Sequence, residues 1–280
     1  MTPTENLTDR RPARVAIVVV RFKKQLHEIS LLRALPMIDL SAVPEIIIVD
    51  NSPEPASVDE TAALPGVVKY RWLGGNVGLA RAYNSAVSQL QSDWTHVAFL
   101  DQDTEGLLGL FDQLAAGLSA EITLPVVRAG QTIISPCRRI GPWYAPIKRI
   151  GVTPANLSWI NSGMTVARGT LRSSPFDEAL FLDYVDHQFA RTSLADRARV
   201  EVLWDVVLEQ DYSRDTDSKQ QALARFRIFN RDVRQFYRGT VAGRLWGWAL
   251  TFRRALGATA RYRTSAFIFS WLGAGRALDG

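Results

Sequence analysis

The sequence predicts an α/β fold: a mainly parallel sheet flanked by helices, followed by a C-terminal helical extension. Three observations carry that expectation. The runs Val15-Ala-Ile-Val-Val-Val-Arg-Phe22 and Glu45-Ile-Ile-Ile-Val-Asp50 are continuous and β-branched, the pattern of strands buried on both faces. Segments of helical periodicity separate such runs, which implies right-handed βαβ units. Polar residues follow the runs directly, and in parallel sheets ligands bind beyond the carboxyl ends of the strands.

In chain order, residues 1–13 read as a disordered leader, and 15–22 as the first strand. A helical segment spans Ile29 to Leu35, and 45–50 is the second strand, ending in Asn51-Ser-Pro53. Val67 to Trp72 is a third strand. Asn76 is placed to cap the next helix, on which Leu79, Tyr83, Ala86, Val87 and Leu90 recur at helical spacing. His96 to Leu100 is a fourth strand leading straight into Asp101-Gln-Asp103, and a helix follows with Leu107, Leu108, Phe111, Leu114 and Leu118 on one face. From Glu121 the alternation weakens. Trp159 to Ala167 reads as a strand, Phe176 to Arg191 as a turn and helix, 217–238 as a long helix and 241–275 as two amphipathic ones. The predicted organisation is therefore a leader (1–13), an α/β domain (14–215) and a basic, aromatic helical extension (216–280).

Composition narrows the class. The chain has 280 residues, 47% hydrophobic and 22% charged, enough for one large α/β domain with an appendage. The net charge of +5 is uneven: ten arginines lie between Arg225 and Arg263, with Asp232 the one acid among them. Such a tail attracts phosphates, whether of nucleic acid, an anionic membrane or a lipid-linked diphosphate. No nucleic-acid-binding motif accompanies it, so nucleic acid is not an expected partner. Cys137 is the single cysteine, which excludes an intrachain disulfide and suits a cytoplasmic protein. The N-terminus lacks the pattern of a secretion signal, and the uncharged stretch from Thr264 to Gly275 is too short to span a bilayer.

Four segments carry candidate chemistry. Asp101 and Asp103, one residue apart at a strand end, form a hard oxygen site suited to Mg²⁺ or Mn²⁺ completed by phosphate oxygens. An acidic, solvated turn is the alternative for that pair in isolation. Gly74-Gly-Asn-Val-Gly78 opens a helix, where unpaired N–H groups can meet a diphosphate; an ordinary tight turn explains the same residues. Asp50 is placed either to accept from a nucleobase N–H or to make an Asx turn with Ser52. Phe181-Leu-Asp-Tyr-Val-Asp-His187 sets Asp183, Asp186 and His187 beside aromatics, where a carboxylate can act as a general base. For Asp183 the competing role is favourable interaction with a helix N-terminus, and His187 reads as structural.

In this order the segments resemble the family 2 glycosyltransferases of the GT-A fold, within them the bacterial rhamnosyltransferase-like branch. The matching residues are Ala16 to Val20, Ile46 to Ser52, Gly75 to Asn84, Phe99 to Asp103, Asn161-Ser-Gly163 and Phe181 to Asp186. The resemblance implies an inverting transferase of bacterial surface polysaccharide synthesis, passing a sugar from a dTDP- or UDP-linked donor to a glycan or polyprenyl-diphosphate-linked acceptor. It places Asp50 on the base, Asn76, Gly78 and Asn84 along the nucleotide, and Asp101 near the ribose. Ser162 and Gly163 would border the donor sugar, Asp103 would hold the metal and Asp186 would be the general base.

Two departures stand out. Arg21-Phe-Lys23 replaces the usual Thr-Tyr-Asn-like continuation of the first strand. Gln210 stands where many relatives carry a metal-binding histidine, and an amide oxygen is the weaker ligand. Gln210 also supports a different expectation, a catalytically silent partner subunit that binds nucleotide or glycan. In the tail, aromatics from Trp246 to Trp271 interleave with arginines. That suits either peripheral contact with the inner face of a membrane or packing on protein.

Overall fold

The computed structural model describes residues 13–91, 93–151, 156–210 and 218–273. The leader expected over 1–13 lies outside them except for Ala13, which is buried. Val15–Arg21 forms β1, Ser30–Ala34 α1, Ile46–Asp50 β2, Val58–Ala62 α2, Val68–Trp72 β3, Leu79–Ser88 α3, His96–Asp101 β4 and Leu107–Ala116 α4. The four strands pair in parallel in the order β4-β1-β2-β3. β1 and β2 are buried on both faces, as their unbroken β-branched runs predict, while the edge strand β3 is largely exposed. Leu108 departs from its expected place on the inner face of α4: it is exposed, while Leu107, Leu110, Phe111 and Leu114 face the sheet.

Beyond Glu121 the chain is richer in strand than its pattern suggests. Ile122–Ala129 forms β5, Thr132–Ser135 β6, Cys137–Ile140 β7, Trp143–Pro146 β8, Leu157–Ser158 β9 and Thr165–Ala167 β10. After α5, Val185–Ala195, comes β11, Val200–Glu209. The sheet order is β11-β5-β10-β4-β1-β2-β3 with β6 on β5, while β8, β7 and β9 make a separate three-stranded antiparallel sheet. The strand expected over 159–167 shrinks to β10. Gly163, at φ 77°, and a Met164 N–H···O=C Asn161 bond of 3.0 Å turn the chain before it. β10 then inserts antiparallel between β4 and β5.

Two layers of core sandwich the sheet. Ala16, Val18, Val49, Val97 and Phe99 pack with Tyr83 and Ala86 of α3 and Phe189 of α5. Val15, Ile17, Val19, Ile48 and Leu100 pack with Leu31 of α1 and Phe111 of α4. The C-terminal helices are α6 (Lys219–Phe236), α7 (Val241–Tyr262) and α8 (Ala266–Gly273). They enclose a small core of Phe226, Ala255, Phe267 and Trp271. Phe236 of α6 joins the α3/α5 layer, so the extension is packed onto the α/β unit and not tethered to it.

Candidate active site

The alternation of side chains along a strand decides which strand-end residues can meet. Val97 and Phe99 of β4 face the α3/α5 layer, so Asp101 does too. Ile46 and Ile48 of β2 face the α1/α4 layer, which puts Asp50 on the opposite side of the sheet. There Asp50 is fully buried. It accepts from Arg21, Tyr70 and the Ser52 N–H, the last at 3.0 Å. The Asp50 carboxylate is thus an Asx turn and a buried ion pair, with no oxygen presented to a nucleobase. Arg21, the residue that departs from the family pattern, is its partner. Asn51, one residue on, emerges on the cleft side instead. Its amide donates to Asn76 Oδ1 at 3.1 Å and its Oδ1 accepts from Val77 N–H at 2.8 Å. The sequence marks Asn51 as a polar strand-end residue without giving it a role, and strand parity is the signal that separates it from Asp50.

The glycine segment is a tight turn. Asn76 does not cap α3; Gly78 takes that position at φ 91°. The N–H groups of Val77, Gly78 and Leu79 are taken by Asn51, Asn76 Oδ1 and the Phe181 carbonyl, the last at 2.5 Å. These donors are not open to a diphosphate. A Cβ on Gly78 would lie 2.7 Å from the Phe181 ring and 2.9 Å from its carbonyl oxygen, so the glycine lets the 181–186 loop close on α3. Gly78→Ala should destabilise the fold by about 1–3 kcal/mol, from contact and positive φ together, measurable by urea unfolding. Asn84 is committed to the backbone here: its amide brackets the Phe176 backbone at 2.9 and 3.0 Å.

Around Asp101, residues from four segments converge. Ser162 Oγ donates to Asp101 Oδ2 at 2.7 Å, Gln210 Nε2 donates to the same oxygen at 2.8 Å, and Tyr83 OH lies 3.4 Å from Oδ1. Burial pushes the Asp101 carboxyl up, the Asp103 and Asp186 carboxylates add to that, and the Ser162 and Gln210 hydrogen bonds oppose it. Burial, then Asp101 and Asp186, hold the Tyr83 phenol well above its ordinary value, so it stays a neutral donor. The charges of Asp103 and Asp186 thus reach Asp101, whereas Asp50 belongs to a different cluster. Gly163, whose Cβ would lie 2.5 Å from Pro125 and Leu208, permits the close approach that seats Ser162.

Asp186 sits in the first turn of α5, its Oδ1 accepting from the His187 N–H at 2.8 Å. Asp183 is committed elsewhere, in a two-pronged ion pair with Arg225 of α6. Asp232, fully buried on α6, accepts from three consecutive backbone N–H groups, Phe181, Leu182 and Asp183, at 2.7–3.1 Å, and from Arg231. It pins the acidic loop, and no local signal in the sequence links it to that loop. His187 is structural: it stacks on Tyr144 at 3.6 Å between centroids, and its Nδ1 lies 2.9 Å from Ser158 Oγ. Burial lowers its pKa from 6.5, against the opposing pull of Asp186. The neutral ring in the fold contributes stability above pH 6.5 that is lost as pH falls toward the lowered value. The acid limb of a melting-temperature profile should accordingly flatten in His187→Phe, with His96, also lowered by burial, accounting for slope that remains.

Among the described residues no three His, Cys, Asp or Glu are grouped to hold a metal ion. Gln210 changes that assessment. Its Nε2 is bound to Asp101, which orients the amide, and its Oε1 is buried without a hydrogen-bond partner. An oxygen left in that state costs about 1–3 kcal/mol unless something fills its lone pairs. Asp103 follows Asp101 by two residues, and carboxylate and amide oxygens are the donor types a hard divalent cation takes. A cavity of about 500 Å³ opens beyond β1 and β2, lined by Arg21, Lys23, Ser52, Glu54, Ser57 and Glu60, on the Asp50 side and apart from the acidic cluster.

The mainly parallel sheet with its flanking helices is a GT-A fold. Residues 31–123, from α1 to the first two residues of β5 and including Asp101 and Asp103, match the family described as Glycosyl transferase family 2. Solved structures share the fold. One is GalNAc-T7 with UDP, GalNAc and Mn²⁺, at TM-score 0.55 and 12% identity over 79% of this chain and 48% of that one. Another is the mannosyltransferase PcManGT from Pyrobaculum calidifontis in complex with GDP-Man and Mn²⁺, at TM-score 0.53 and 14% identity over 96% of this chain and 77% of that one. This chain thus spans about half the length of GalNAc-T7. No curated protein matches the sequence.

Proposed function

We propose that the protein is an inverting glycosyltransferase that passes a sugar from a nucleoside-diphosphate donor to a hydroxyl of a glycan or polyprenyl-diphosphate-linked acceptor. The observation that carries this is the meeting of Tyr83, Ser162 and Gln210, from three separate stretches of chain, on Asp101 at the carboxyl end of β4, with Asp103 two residues on. The family match over that stretch and the nucleotide ligands of the two neighbours support it. In this reading residues 14–215 carry the chemistry, and the helices beyond 216 brace it.

Asp186 is the general base. It takes the proton of the acceptor hydroxyl while that oxygen attacks the anomeric carbon, and the bond to the diphosphate breaks on the opposite side, inverting the centre. Asp103 and the Gln210 amide oxygen would hold Mg²⁺ or Mn²⁺, which supplies charge neutralisation for the departing diphosphate. Asp101, held by Ser162, accepts from Gln210 Nε2 and so would leave the Gln210 Oε1 available to a cation. A rhamnose donor and a place in surface polysaccharide synthesis rest on the sequence resemblance.

The test is a melting screen of dTDP- and UDP-sugars with and without Mn²⁺, followed by donor turnover. A donor at about a hundredfold over its Kd stabilises by about 2.7 kcal/mol. Gln210→Ala should remove most of the Mn²⁺-dependent part of that shift and leave the metal-free melting temperature within a degree or two. An undiminished Mn²⁺ response would take Gln210 out of the cation site. Donor binding without turnover of any sugar offered would favour the silent partner subunit over the enzyme.

A further inference from the structure

The outer face of α7 is apolar where a solvated helix would be polar. Gly247, Leu250, Thr251 and Ala255 face inward. On the opposite side, at helical spacing, stand Leu245, Trp246 and Leu256, 67%, 48% and 49% exposed. A second element meets this face. Ile140 and Trp143 are cross-strand partners at the tip of the β7–β8 hairpin, so they share a side of it, and both are exposed. The Arg253 guanidinium of α7 lies over the Trp143 ring, 5.1 Å from its centroid, joining the two patches.

Charge identifies the occupant. Arg253 of α7 borders this face, as does exposed Arg138 of the hairpin, which strand alternation puts on the same side as Ile140, and neither segment contains an aspartate or glutamate. A two-fold contact between copies would set this cationic face against itself, with like charges opposed. An anionic bilayer surface offers phosphates to Arg253 and Arg138, and an interfacial layer that takes tryptophan and leucine. Among the described residues no helix is long and apolar enough to cross a membrane. We infer that α7 and the β7–β8 hairpin lie in the plane of an anionic membrane, seating the protein on its surface. This stands independently of the proposed reaction.

The full chain should float with vesicles of phosphatidylcholine and phosphatidylglycerol and stay behind with phosphatidylcholine alone, and high salt should weaken the association. The combined variant L245Q/W246Q/L256Q should lower partitioning by about tenfold or more with an unchanged melting temperature. If that variant melts early, Trp143→Ala, on a separate element, should still weaken flotation severalfold. The inference is overturned if the wild-type chain ignores anionic vesicles, or if well-folded variants bind as the wild type does. Light scattering that shows a dimer which the triple variant breaks would overturn it too, because the face would then be a contact between copies.

Discussion

Asp186→Asn should reduce turnover by about 10²–10⁴-fold while donor affinity and melting temperature change little. The substitution keeps the size of the side chain and its bond to the His187 N–H, and removes the basicity that accepts the acceptor's proton. Asp183→Asn is the internal control. It breaks the ion pair to Arg225 and so bears on the stability of the loop, not on proton transfer. Single-turnover kinetics on both variants separates the two roles. Transfer that survives Asp186→Asn and is lost in Asp183→Asn would reverse the assignment.

Asp232→Ala should produce the largest loss of stability of any single change considered, about 3–5 kcal/mol, read as a fall in melting temperature of roughly 10 °C. Three backbone donors in one buried loop would lose a common acceptor, and Arg231 would lose its partner. Asp232→Asn should fall between, since its one oxygen cannot serve three N–H groups as well as a carboxylate does. Because the loop leads directly into Asp186, partly active Asp232 variants should lose turnover more than donor affinity. A melting temperature close to wild type would mean that the loop is held by other contacts.

Much of this molecule was legible in its residues. Unbroken β-branched runs identified β1 and β2 because a strand covered on both faces has no reason to alternate. Helical periodicity located α3, α4 and the three C-terminal helices. The Asp101-Gln-Asp103 segment stood out because a buried strand leads straight into two carboxylates, and Asp101 is where Ser162, Gln210 and Tyr83 meet. The short strands β6 to β9 were hidden, since two to four residues are too few for a period to show. β10 was overestimated because nothing in its composition revealed the turn that Gly163 makes.

What the residues alone determined is which segments are strand or helix, and that acidic and glycine-rich turns crowd one end of a parallel sheet. Only the tertiary structure decided which of those turns share a face. Asp50 and Asp101 are equivalent as strand-end carboxylates, yet side-chain alternation sends them to opposite layers, one into an ion pair with Arg21 and one into the acidic cluster. The same holds for Asp232, Asn84 and Gln210, whose partners lie some 50 to 109 residues away along the chain. A propensity is a property of neighbours in sequence. A hydrogen bond across the fold depends on which elements the chain brings together, and a period of two or 3.6 residues holds no record of that.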